Sequence, residues 1–542
     1  MRKIYFFFFL CYSIGLLAQM SLNPAERSAL IQLFHSTDGT HWNNTWDLNK
    51  SPDTWFGITI KNGSVTRIQL SANHLKGAIP PAISAFQNLE VLDLGSNQLS
   101  GELPSSLSFL SHLKYLDLSH NLLKGDAEVV KSLSELEELS IGYNQLTIND
   151  INGFVGSFKN LKSLDIAFCG VATLPGNFNE KSQLEKMDIS GNPITSGFEV
   201  FTQLKSLKQL SLSKLNLEKI PSSISALSQL SLLDLSENSI SDFSSLRNLE
   251  NLEWLSLENN RLESIPMEVT ALRKLVHINL NHNKLTTLSA LSNLKNLEQI
   301  FANRNVLEGN FPEYLLNLPK LQMISLVSNQ LSGELPLALP AVTLVQNNRY
   351  TLAQLKALLP ILKDKYIEYS PQRYDTEVVV KVESNNTATL TQSLSAAEGY
   401  TFTWLKSLEQ DMRSHFESHH FDKIKDEDFT LYTCEAYYQK KENDVYFEIS
   451  FFREPIALES NTLNTDENPL KSLKIHPNPA KDFIMIDIEN LDLKKASIYD
   501  MSGKKLMEST SKKVDVRALP SAVYVLIVET DMGIKSFKVL KY

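Results

Sequence analysis

The chain has 542 residues, of which 42% are hydrophobic and 21% charged, and its formal net charge is −10. That length allows several domains, and the composition is that of folded globular protein. The acidic balance excludes the basic face on which a nucleic-acid binder depends.

In chain order, Arg2 and Lys3 precede an apolar run, Ile4 to Leu17, followed by Ala18. A short basic start, an apolar stretch and a small residue at its end describe a secretory signal peptide over residues 1–19. The run is too short to span ~30 Å of hydrocarbon, and no later one approaches ~18 apolar residues, so no membrane span is expected. Only Cys169 and Cys434 lie beyond the leader. An exported chain with two distant cysteines is not held together by a disulfide framework.

Residues 20–64 read as a cap. Asn23-Pro24 starts a helix carrying Ala29, Leu30, Leu33 and Phe34 at helical spacing. Trp42, Trp46 and Trp55 follow. Three such rings could form a ligand platform, but the open end of a stacked array needs a lid, and the expectation is that they provide it.

From Val65 to residue 348 one pattern recurs: Leu-x-x-Leu-x-Leu-x-x-Asn-x-Leu. Copies begin at Val65, Leu89, Leu113, Leu136, Leu161, Leu184, Leu207, Leu230, Leu252, Leu275, Leu297, Leu321 and, truncated, Leu339, about 13 in all. The alternating Leu-x-Leu pair (Leu92 and Leu94, Leu255 and Leu257) predicts a short strand with both leucines inward. Stacked strands make a parallel sheet along one side of a solenoid, and each coil buries its leucines only against its neighbours. The ninth position is Asn73, Asn97, Asn121, Asn144, Asn192, Asn238, Asn260, Asn283, Asn305, Asn329 and Asn347, with Cys169 and Leu215 interrupting. An inward amide satisfies the backbone of a buried turn, so this ladder is structural, Cys169 is a packed thiol, and Leu215 marks a local irregularity. The returns, such as Gly101-Glu102-Leu103-Pro104, predict 3-10 turns or loops. The pattern resembles the leucine-rich repeat family, and returns of this kind resemble its plant-type version.

Residues 349–369 leave the repeat, and Thr351 is placed to cap a closing helix. Residues 370–458 have the rhythm of short strands. Trp404 and Asp428-x-x-x-Tyr432-x-Cys434 resemble the immunoglobulin fold, without the second cysteine that would complete its disulfide. His415, His419 and His420 lack the order of a zinc protease and read as a polar connection. Residues 459–471 are a polar linker. In residues 472–542, His476-Pro477-Asn478-Pro479, Tyr499-Asp500-Met501-Ser502-Gly503-Lys504, Leu519-Pro520 and the final Lys538-Val539-Leu540-Lys541 resemble the C-terminal sorting domain of the bacterial type IX secretion system. The fold class expected is therefore mainly β: a curved repeat solenoid with a helical cap, then two small β-sandwich domains.

No catalytic or metal constellation emerges, and no cofactor is expected. The outward acidic row Asp93, Asp117, Asp165, Asp188 and Asp234 reads as polar surface. The binding candidates are Trp254, Glu258, His277, Asn281, Phe301, Asn303, Arg304 and Met323, outward positions of neighbouring coils on the concave side. Tyr115, His120, Tyr143 and Phe168 make a second patch. The expected function is an exported or surface-held binding protein for a protein or glycan ligand. Its other partner would be the type IX machinery, reached through the tail. A structural assembly component and a glycan-active enzyme are the alternatives.

Overall fold

The computed structural model describes residues 22–178, 183–442, 445–460, 470, 473–478, 480–488, 492–500, 504–520, 522–531 and 533–541. The leader, most of the linker and the turn 501–503 fall outside them. The chain divides into two compact units, Met1–Ser211 and Leu212–Tyr542.

The first unit opens with the helix Pro24–Ser36, where the Asn23 side chain accepts the Ala25 N–H at 3.0 Å. Its buried face includes Leu30, Leu33 and Phe34. Phe34 meets Trp42 and Trp46, and Trp46 stacks on Trp55 with centroids 4.8 Å apart. All three tryptophans are 4% exposed, and each indole N–H donates to a backbone carbonyl, those of Thr37, Phe56 and Asp47. The rings offer no open face to a ligand. A tie not visible in the sequence is Glu26, which is buried and accepts the Val65 N–H at 2.7 Å, linking the helix to the first repeat strand.

Ile58–Lys61 pairs antiparallel with Ser64–Gln69, after which Val91–Asp93, Tyr115–Asp117, Glu138–Ser140, Ser163–Asp165, Lys186–Asp188 and Gln209–Ser211 follow in parallel. The middle residue of each three-residue strand (Leu92, Leu116, Leu139, Leu164, Met187, Leu210) is buried. The returns are 3-10 turns such as Ser105–Phe109. One differs: the longest coil holds a short helix, Ile151–Gly156, capped by Asp150. A second sheet orders Lys76–Gly77, Gln98–Glu102, Leu122–Asp126 and Gln145–Thr147. Gly77, at φ 127°, brings its backbone so near the cap helix that a Cβ would sit 2.1 Å from the Ser36 carbonyl oxygen.

In the second unit the strands Leu232–Asp234, Trp254–Ser256, His277–Asn279, Gln299–Phe301, Met323–Ser325, Val342–Leu344 and Tyr366–Glu368 stack in parallel. Two expectations change here. Asn348, not Asn347, is the rung of its coil: its amide donates to the carbonyls of Leu326, Val345 and Gln346, and it accepts the Leu331 N–H. The reason is register, because Thr343 pairs with inward Ile324, so Thr343 and Val345 point inward rather than Val342 and Leu344. The segment 349–369 is also more than a cap helix. Leu352–Lys356 has a capping box from Thr351 and Gln354, but Tyr366–Glu368 then adds a further coil, and Gln372 acts as its rung by donating to the carbonyls of Val345 and Tyr369. The irregularity expected at Leu215 is present but small. Lys214, at φ 57°, keeps the positive φ of residues before the rungs and the Leu215 N–H still donates to Asn238, while Asn216 after it also turns to φ 57°.

Past the solenoid, a seven-stranded sheet orders Gln372–Tyr374, Val445–Arg453, Leu431–Glu442, Thr401–Lys406 and Gln410–Asp411, with Ile456–Ser460 joined to Leu431–Glu442 and Val378–Val382 to Ile456–Ser460. Ala388–Thr391 pairs separately with Ser418–Phe421. Trp404, pairing with Cys434 across strands, is fully buried. The tail forms two sheets. One holds Lys474–His476, Phe483–Asp487 and Lys513–Asp515, and the other orders Lys505–Ser509, Leu493–Tyr499, Ala522–Thr530 and Gly533–Lys541. Leu473, Ile484, Ile498, Tyr524, Leu526 and Val528 belong to its core.

Candidate binding surface

With the middle residue of every strand turned inward, the first and third lie on the open face of the sheet. The acidic row occupies the third position. Each carboxylate is already used: Asp93, Asp117, Asp165, Asp188 and Asp234 accept the N–H two residues on, at 3.3, 2.8, 3.0, 2.9 and 2.9 Å. Asp93 and Asp165 also accept the hydroxyls of Ser71 and Ser140. The row therefore caps the turns at the strand ends. Gly142 is small for the same reason, since a Cβ there would meet an Asp165 oxygen at 2.2 Å.

Burial pushes the Asp165 carboxyl up to about 6, which yields a signed prediction. Between its ordinary value of 3.8 and about 6 the folded state holds a proton that the unfolded state has released. Stability of this unit should therefore fall as pH rises through that window. Asp165→Asn keeps an oxygen for the Ala167 N–H and needs no buried charge. It should raise the unfolding free energy at pH 7 by roughly 1–3 kcal/mol and flatten the dependence between pH 4 and 6, as read by urea titration at several pH values.

Register separates the candidate residues. Trp254 and His277 are paired neighbours on the first row, and Met323 follows beyond Gln299. Phe301 lies on the third row, between Asn279 and Ser325. All four are partly exposed. Three of the others brace the solenoid. Glu258 accepts the Asn279 amide at 2.8 Å, Asn281 accepts the Asn303 N–H at 2.8 Å, and Asn303 accepts the Ser325 hydroxyl at 2.6 Å and the Val327 N–H at 2.8 Å. Arg304, at φ 53°, lies near enough to Tyr524 in the tail for its charge to act on that hydroxyl.

The second patch lies wholly in the first unit. His120 stacks on Tyr143 with centroids 4.2 Å apart and planes 11° from parallel, and Tyr143 meets Phe168 at 5.0 Å. These three share the positive-φ position before the rung, so one ring per coil makes a ladder that the spacing alone did not reveal. Tyr115 stands apart on the first row between Val91 and Glu138, and burial with the carboxylates of Asp117, Asp93 and Glu138 pushes its hydroxyl up to about 12.

Cys169 is buried with its sulfur toward the carbonyls of Ala167 and Ile141, and burial raises its thiol to about 12, far from a nucleophile. His419 and His420 alternate along the strand Ser418–Phe421, and His415 instead bonds the Phe402 carbonyl. Among the described residues no three His, Cys, Asp or Glu side chains gather as a metal site.

In the tail, the Tyr524 hydroxyl donates to the Pro520 carbonyl at 2.7 Å, and the Lys504 N–H donates to the Asp500 carboxylate at 3.0 Å. The family model of the leucine rich repeat matches residues 63–123 and 250–307, and that of the secretion system C-terminal sorting domain matches residues 474–541. The chain carries leucine-rich repeats and a secretion-system C-terminal sorting domain. Among solved structures, an internalin of Listeria monocytogenes is 20% identical, with a TM-score of 0.44, over 58% of this chain and 92% of its own. A leucine-rich-repeat protein of Leptospira interrogans is 28% identical, at 0.43, over 56% and 83%. The repeat ectodomain of the Arabidopsis receptor kinase HAESA, in complex with a peptide hormone, is 25% identical, at 0.43, over 65% of this chain, which spans 58% of that ectodomain. Leucine-rich repeats point to protein binding, and the sorting domain marks the chain for type IX export to the cell surface or the extracellular space. No helix among the described residues is long and apolar enough to cross a membrane.

Proposed function

We propose that the leucine-rich repeats bind an extracellular protein on the open sheet face around Trp254, His277, Phe301 and Met323, by surface complementarity and not by turnover. The observation that carries this reading is the convergence of four large, partly exposed side chains on adjacent strands. Residues of this kind anchor interfaces. Glu258, Asn281 and Asn303 hold the surface in shape, and the carboxylate row that an enzyme would need is spent on capping turns. The module at 370–458 is read as an immunoglobulin-like spacer. Supporting this, the Tyr432 hydroxyl donates to the Asp428 carbonyl at 2.7 Å, two residues before Cys434, with Trp404 packed in the core.

The full chain applied to an array of bacterial and host surface proteins and of glycans should pick out a protein. Trp254→Ala/Phe301→Ala should weaken that binding more than tenfold without changing the fold, since both side chains are only partly buried. Equal binding by the variant, or selection of a glycan alone, would overturn the assignment.

A further inference from the structure

The strand Ala522–Thr530 of the sorting domain reads Val523-Tyr524-Val525-Leu526-Ile527-Val528, apolar at every position. A strand at the outside of a small sandwich would alternate apolar and polar residues. A continuous run marks a strand covered on both faces. Tyr524, Leu526 and Val528 fill the domain's own core. Val525 and Ile527 point the other way, and with Tyr499 they form a separate buried cluster with Leu408 and Leu431 of the preceding module, flanked by Ala457 and Ile534. The outer face of the sorting domain is thus seated on the module before it.

Seated there, the domain also reaches the repeats. Lys481 Nζ lies 3.4 Å from Asn216 Oδ1 on the repeats, while Lys538 Nζ, 4.0 Å from a Glu377 oxygen, adds to the seat on the module at 370–458. Lys541 sits within the electrostatic reach of Glu237, and Tyr524 within that of Arg304. A cavity of about 660 Å³ remains between the two surfaces, lined on one side by Asn281, Asn303 and Arg304 and on the other by Ala522, Tyr524 and Leu540. Three of the eight residues singled out for ligand binding therefore face the chain's own tail.

We propose that the sorting domain is the resident occupant of this edge of the repeats. Docked through Tyr499, Val525 and Ile527, it masks Asn281, Asn303 and Arg304 and weakens the hold on an external protein until it is displaced. This rests on the binding reading above. The tether makes the docking intramolecular, so a soluble competitor faces an effective concentration on the order of millimolar. Binding to the open form alone is weakened by the fraction of chains that are open. Trp254, His277, Phe301 and Met323 stay partly exposed beside the covered edge, so a chain with its sorting domain docked binds, but more weakly than one with the domain displaced.

Hydroxyl-radical footprinting of the full chain tests the docking without any ligand. The wild type should protect Leu431 and Tyr499, and the half-buried, cavity-lining Val327 should react slowly. Ile527→Asp, on the sorting domain, and Leu431→Asp, on the module beneath it, should each raise oxidation of Tyr499 and Val327 at least fivefold. Trp404 and Ile484, inside the two cores, should stay protected and so report that both modules remain folded. Two substitutions on opposite sides of one contact guard against either simply failing to fold. Free reaction of Tyr499 in the wild type, or unchanged Val327 in both variants, would overturn the proposal. So would a concentration-dependent dimer in sedimentation that Ile527→Asp dissociates, because the contact would then join two copies. For any protein selected by the array, Ile527→Asp should bind at least tenfold more tightly than the wild type, and equal affinity would sink the masking. An array on which neither the wild type nor Ile527→Asp selects a protein removes the binding function but leaves the footprint intact, whereas a wild type without protection removes the masking alone.

Discussion

Asn283→Ala is expected to lower the unfolding free energy by about 2–4 kcal/mol, more than any surface substitution on the same coil. The Asn283 amide donates to the carbonyls of Leu257, Leu280 and Asn281 at 2.9, 3.1 and 3.1 Å, and its oxygen accepts the N–H groups of Asn260 and Leu262 at 3.1 and 2.9 Å. One buried side chain thus fastens two consecutive coils. Alanine leaves two donors and their opposing carbonyls without water or partner, and each such group costs about 1–3 kcal/mol, partly relieved by relaxation. The chain supplies its own comparison at Cys169, where a thiol near 3.6–3.9 Å from the equivalent carbonyls fills the same rung. Asn283→Cys should accordingly be milder than alanine. Asn283→Asp should be worse, since it keeps the acceptor but sets a charge against three carbonyl oxygens. Urea unfolding of the three variants should order them Cys, Ala, Asp from least to most damaging. Equal loss in all three would mean that volume, not hydrogen bonding, governs the rung. The effect should stay local, because each coil touches only its neighbours.

The same rungs show what a sequence reader can and cannot obtain. Leu92, Leu233 and Leu255 were legible as inward because period two and a fixed repeat allow one orientation of the strand, and they are fully buried. Asn348 was not, because the last coils are irregular in length and Gln346, Asn347 and Asn348 offer adjacent amides. Only the pairing of Thr343 with Ile324 settles which turns inward. For the surface, spacing tells which face a side chain takes but not whether a neighbour already uses it. Glu258, Asn281 and Asn303 were legible as outward, and their role as braces needed the positions of Asn279, Ser325 and Val327. The aromatic ladder of His120, Tyr143 and Phe168 was half legible. The residues were visible, but the shared left-handed backbone that aligns the rings was not.

Buried charge is the least legible feature of all, and Glu26 and Glu454 illustrate why. Neither belongs to a motif, and each acquires its partner only when distant segments meet. Glu454 is 5% exposed, and one of its oxygens lies 3.2 Å from Arg373 and 3.6 Å from Arg349. Arg373 in turn donates through Nε to the Asn347 carbonyl at 2.9 Å and through Nη2 to that of Asn329, so its guanidinium closes the end of the repeat ladder. The Glu454 N–H donates to the Tyr374 carbonyl at 2.9 Å, which brings this carboxylate to the first strand after the solenoid. The pair is therefore one joint between the repeats and the module at 370–458, beside the bond of Lys356 to the Tyr438 hydroxyl and the stacking of Tyr369 on Phe447.

Glu454→Ala is expected to be the most damaging single change at this joint, about 3–5 kcal/mol, because it strands a largely buried guanidinium whose own burial already lowers its pKa. Glu454→Gln should cost clearly less. Burial holds the Glu454 carboxyl above its ordinary value despite the two arginines, so the ionised form is not fully compensated, and an amide still offers Arg373 an oxygen. The sign of the pH dependence follows. A carboxyl raised in the folded state makes stability fall as pH climbs from its unfolded value through its folded one. The wild type should show that decline and the glutamine variant should not. Calorimetry should place the loss in the transition that unfolds residues 372–460, with Trp404 fluorescence moving to lower temperature in step. Should Glu454→Ala and Glu454→Gln unfold at the same temperature, the stranded charge would not be the cause, and the joint would owe its stability to the apolar contacts around it.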